Sequence, residues 1–103
     1  MGSSERRYVG IHKDLYGGMT DTGKIIREAW AFGILPEDET CEGWTAQGLE
    51  TLWQKVQAEW EKYGYRVANL PSELQARYLR IQEEAVRRAR AAGWDPSLDD
   101  EDE

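Results

Sequence analysis

The chain carries one cysteine, Cys41, and one histidine, His12. A single cysteine excludes an internal disulfide and any multi-thiolate centre. Nor does the pairing of Cys41 and His12 with the acids around residues 37–42 have the spacing of a metal site. No metal and no cofactor are expected. Long apolar runs are missing too: nothing approaches the roughly 18 consecutive apolar residues of a membrane span, and the leading MGSSERR runs into no apolar signal core. Met1-Gly2 opens like an acylation signal, but Arg6 stands where Ser or Thr is required. The expectation is a cytoplasmic protein without a membrane partner.

Basic residues are in the minority, 13 against 20 acidic, for a net charge of −7. Residues 95–103 hold Asp95, Asp99, Asp100, Glu101, Asp102 and Glu103 with no base, which leaves −1 for residues 1–94. Such a tail cannot bury enough apolar surface to offset its ordering entropy, so it is expected to be disordered. Arg77, Arg80, Arg87, Arg88 and Arg90 give the last predicted helix a basic cast. Glu73/Arg77, Glu83/Arg87 and Glu84/Arg88 account for three of them as i,i+4 pairs. With an acidic tail just beyond to compete with phosphates, nucleic acid is not an expected partner, because that affinity rests on phosphate neutralisation.

What is present is aromatic: five Trp, five Tyr and Phe32 in 103 residues. A chain of this length makes one domain, expected over residues 8–94 after a flexible stretch at 1–7. The fold class is all-α, a three-helix bundle-like domain with an extended N-terminal arm and the acidic tail. Thr20, Asp21 or Thr22 can cap a first helix near 21–32, with Ile25, Ala29 and Phe32 on one stripe. Thr45 caps a second, near 46–63, with Trp44 placed to pack on Leu49 as a hydrophobic staple. Its wide stripe of Leu49, Leu52, Trp53, Val56, Trp60 and Tyr63 makes it the expected central helix. Ser72 and Gln75 form a capping-box pair for a third, near 73–92. Gly33-Ile34, Gly64-Tyr65 and Gly93-Trp94 repeat one stop signal, a left-handed glycine followed by an apolar residue that folds back on the last turn. Residues 8–11 have strand character, and 65–68 are their expected partner.

Residues 16–44, YGGMTDTGKIIREAWAFGILPEDETCEGW, concentrate the unusual features. Gly18 to Lys24 matches the G-x4-G-K part of a phosphate-binding loop. Ile25 stands where the Mg²⁺-binding hydroxyl belongs, the residues before it are polar, and Asp21 puts a carboxylate inside the loop. A glycine turn feeding a Thr/Asp-capped helix explains the same residues. The run resembles a small family of short bacterial proteins of unassigned function, and the resemblance implies a bacterial cytoplasmic setting.

Two functional expectations follow. The first is a non-enzymatic protein–protein interaction module, with no catalytic residues and with another protein or a second copy as partner. It would dock through partly exposed Trp30, Trp44 and Trp94 and the acidic turn of Glu37, Asp38, Glu39 and Glu42, since exposed aromatics are favoured interface anchors. The second is a small-ligand or anion site between the arm and the first helix, formed by His12, Asp14, Tyr16, Gly18, Thr22, Gly23 and Lys24. His12 supplies a group that titrates near neutrality, and the helix start supplies free N–H donors.

Overall fold

Three helices form where the apolar periodicity places them: α1 (Asp21–Ala31), α2 (Ala46–Glu61) and α3 (Ser72–Ala91). The computed structural model describes residues 7–95; the expectations for residues 1–6 and for the tail after Asp95 lie outside the described residues. The fold is all-α, with no strand among the described residues and three short 3-10 turns at Ile11–Lys13, Leu15–Gly17 and Val67–Asn69. No helix among the described residues is long and apolar enough to cross a membrane.

Local chemistry sets the ends. The hydroxyl of Thr20 accepts from Gly23 N–H at 3.0 Å and that of Thr45 from Gly48 N–H at 3.1 Å, so both expected caps form. The third differs: Pro71 occupies the cap position and Ser72 is already helical. Gln75 has turned its amide to the Val67 carbonyl, at 2.9 Å, and ties the last 3-10 turn to α3. All three stop signals close in the same way. Ile34 N–H donates to Ala29 at 2.9 Å, Tyr65 to Trp60 at 3.1 Å and Trp94 to Ala89 at 2.9 Å, each across a left-handed glycine. At Gly33 nothing lies within 4 Å of an added Cβ, so Gly33→Ala tests conformation alone. It should lower stability by about 1 kcal/mol, read in urea as a lower midpoint with an unchanged slope.

The centre of the bundle is α1, not α2. Gly23, Ile26, Arg27, Glu28, Ala29, Trp30 and Ala31 are buried on α1, whereas α2 buries only Leu52, Val56 and Trp60. The short α1 is flanked by α2 and α3, and its small residues let both approach. The wide stripe of α2 is a buried face with a shoulder left open at Trp53. Trp60 joins the layers: its ring meets Phe32 edge-on at 5.1 Å and Tyr78 at 5.8 Å, geometry that adds to the area aromatics bury. Arg77, expected to pair with Glu73, donates to the last α1 carbonyl, Ala31, at 3.0 Å, where the helix dipole favours a cation.

The arm does not pair with residues 65–68. Tyr8 N–H donates to Trp44 O at 2.9 Å, Gly43 N–H to Tyr8 O at 2.8 Å, and Ile11 N–H to Thr40 O at 3.0 Å. Residues 65–68 are spent on the stop after α2 and the turn before α3. The turn Leu15–Gly17 packs on α3, so it covers helix surface that the length of α3 alone would leave open. Leu79 of α3 remains exposed.

Candidate functional site

The G-x4-G-K segment folds as a packed corner, organised by Asp14. One carboxylate oxygen accepts from Leu15 N–H at 2.7 Å; the other accepts from the Tyr8 hydroxyl at 2.6 Å and the Thr20 hydroxyl at 2.7 Å. Because Thr20 accepts in turn from Gly23, a single chain of hydrogen bonds joins arm, turn and helix. Beneath it, the Gly18 carbonyl receives Arg27 Nη1 at 2.7 Å, and a Cβ on Gly23 would collide with that same oxygen. Arg27 is buried; its Nε donates to Gln82 at 2.9 Å and its Nη2 lies 3.9 Å from the Met19 sulfur. The two glycines of the loop pattern therefore serve close packing. Lys24 points away from the loop to Glu28, at 3.7 Å.

Burial pushes the Asp14 carboxyl up, but the bonds from Tyr8, Thr20 and Leu15 outweigh it and hold the group below its ordinary 3.8. The unfolded chain therefore takes up this proton before the folded chain does. Stability from Asp14 is complete above the ordinary value and is lost as pH falls through the lowered one. Asp14→Asn should cost about 1–2 kcal/mol at neutral pH and flatten the acid limb of a stability–pH curve. Glu28, whose carboxyl burial raises, acts with the opposite sign in wild type and variant alike, so their difference isolates Asp14.

Of the expected ligand site, His12, Asp14 and Tyr16 do meet. They line a hollow of about 600 Å³ with Gly17 and with Arg88, Ala91 and Ala92 of α3. Partial desolvation, and then the Arg88 charge, lower the His12 pKa; Arg88 Nη1 is 3.3 Å from its Nδ1. Gly18 and Gly23 are buried in the corner, while Thr22 and Lys24 open onto α2 instead. The helical turn between the glycines rotates these side chains away from the arm.

The expected interaction surface is corrected at Trp30. Trp30 is only 7% exposed, and its indole donates to Glu39 O at 2.9 Å, so it cannot be a surface anchor. The helix turns it into the core, where Ile26 and Ala29 also lie. Trp44 and Trp94 are half-buried. Glu37 pairs with Arg80 at 2.8 Å, Glu42 approaches Lys13 at 4.0 Å, and Glu39 accepts from Cys41 N–H at 2.9 Å; Asp38 is exposed. Cys41 is buried, and desolvation with the nearby Glu39 pushes its thiol up to about 11, which leaves it inert.

The open aromatics lie elsewhere. Trp53 is 46% and Tyr65 55% exposed, and both border a cleft of about 620 Å³ between α1, α2 and the Val67–Asn69 turn. Trp60 and Tyr78 form its inner wall, with Asp21, Lys24, Ile25 and Gln57 around it. Glu28 lies at its floor, 97% removed from solvent, held by the Trp60 indole and Lys24. A second groove of about 380 Å³, lined by Thr22, Ala46, Leu49 and Glu50, shares Asp21, Ile25 and Trp53 with the first. Tyr65 reaches the cleft from a left-handed backbone (φ 62°) directly after left-handed Gly64. That conformation costs a non-glycine residue roughly 1–2 kcal/mol. The signal in the sequence was Trp53 at the edge of an apolar stripe too wide for one buried face. Compared with known proteins, no protein family, no curated protein and no solved structure matches this chain.

Proposed function

We propose that the protein is a small, non-enzymatic protein–protein interaction module of the bacterial cytoplasm, and that it docks a partner in the α1–α2 cleft. The observation that carries this reading is the pair of exposed aromatics, Trp53 and Tyr65, at the border of a trough that continues along α2. Exposed Trp and Tyr beside a ready-made concavity are the residues that anchor interfaces. Three groups that could serve catalysis are engaged otherwise, Asp14 and Tyr8 in the corner and Cys41 in the core. The bacterial setting rests on the resemblance of residues 16–44.

The test compares affinity capture by the wild type and by two variants that spare the fold. Trp53→Ala removes an exposed ring, and Tyr65→Gly also relieves the left-handed backbone, so both should melt near the wild type. A partner retained by the wild type and lost from both variants is the expected result. Equal retention by all three would contradict the reading, as would capture of nothing above background together with a strict monomer by light scattering. A second reading, an anion bound by Arg88 and His12, draws on the hollow where they meet. A phosphate titration that leaves the His12 ring resonances unmoved would remove it.

A further inference from the structure

We infer that the cleft receives an arginine side chain of the partner, seated on Glu28 between the aromatic walls, with an adjacent apolar side chain in the Leu49 groove. The inference rests on the docking reading and adds the chemistry of what docks. Two observations select a cation. The cleft sets Asp21 and Glu28 against Lys24 alone, a net charge of −1. Four aromatic rings, Trp53, Trp60, Tyr65 and Tyr78, surround those charges, and aromatic faces attract cations.

Glu28 then decides which cation. A carboxylate withdrawn from water needs hydrogen-bond donors. Glu28 has the Trp60 indole and, at 3.7 Å, the ammonium of Lys24, whose side chain is 59% exposed. An ionised carboxylate offers about four acceptor sites, so a further donor can still be taken. A guanidinium offers several N–H donors in one plane, stacks on aromatic faces and is more weakly hydrated than an ammonium. Shape decides the source. The cleft of about 620 Å³ far exceeds one guanidinium, and it continues past Trp53 into an apolar groove of about 380 Å³. A trough of two such compartments fits an extended segment of chain rather than a free small cation.

The test is a fluorescence titration of the full chain, whose Trp53 and Trp60 report on the cleft. The ligands are capped peptides carrying one arginine and one leucine at varied separations. Matched peptides replace arginine by citrulline, its neutral isostere. At least one arginine peptide should give a saturable change, with the citrulline form at least tenfold weaker. Glu28→Gln, which keeps the side-chain shape, should weaken the arginine peptide at least tenfold and leave the citrulline peptide unchanged. Lys24→Met, which removes the competing ammonium, should tighten it. Equal binding of arginine and citrulline peptides would overturn the proposal, as would a loss of affinity in Lys24→Met or no binding anywhere in the series. If capture of a partner still depends on Trp53 in that event, the docking face stands and only the cation assignment falls.

Discussion

Alanine at Gly23 is expected to destabilise the fold by about 3 kcal/mol, although Gly23 lies within a helix, where alanine is ordinarily favoured by about 1 kcal/mol. The two effects have opposite signs, and the geometry decides between them. A Cβ at this position would collide with the Gly18 carbonyl. That obstacle is backbone and cannot swing aside as a side chain would. Nor can Gly18 retreat: its carbonyl is held by Arg27, and a Cβ on Gly18 would itself meet Ile11. For a domain of this size the loss corresponds to a fall in melting temperature of roughly 12–24 °C. A variant as stable as the wild type would mean that α1 and the Gly18 turn are not in contact.

Arg27→Met should cost about 2–4 kcal/mol, the range for leaving buried polar groups without their charged partner. Methionine keeps much of the buried stem, so the loss reports the guanidinium rather than a cavity. It strips a donor from the Gly18 carbonyl and another from Gln82, both in the joint between α1, the arm and α3. Arg27→Lys should recover only part of the stability, because one ammonium cannot reach a carbonyl, an amide oxygen and a thioether in three directions. Gly23 and Arg27 share the Gly18 carbonyl, so the double variant should lose less than the sum of the single losses. That sub-additivity is the signature of residues that act on one contact, and chemical unfolding of the four chains measures it.

These two residues mark the limit of what the sequence could say. Helix ends were legible because their signals are local: Thr20 and Thr45 cap through their own first turns, and each stop glycine closes over the turn before it. The glycine turn at 18–23 was legible for the same reason. The role of Arg27 was not, since its partners Gly18 and Gln82 come from different parts of the chain and a charged residue in a helix ordinarily reads as solvent-facing. Trp30 misled in the reverse direction. Whether an aromatic is core or surface depends on how many neighbours a helix has, and α1 has one on each side. The ligand residues expected around His12 divided between two faces because α1 starts between them. His12, Asp14 and Tyr16 remain with α3, and Lys24 turns toward α2.

Gly18 to Lys24 is thus a joint of the fold, and the docking face we propose is the cleft bordered by Trp53 and Tyr65. The most direct test is a two-dimensional amide spectrum of the wild-type protein, titrated with MgATP and then with inorganic phosphate to millimolar concentration. The Gly23 amide is already bonded to Thr20 and the Lys24 amide to the Thr20 carbonyl. The Gly18 amide is likewise bonded to Leu15 O, so the resonances of Gly18, Gly23 and Lys24 should hold their positions throughout. Saturable shifts centred on those three amides would show a ligand loop where this account places a packed corner, and would contradict it.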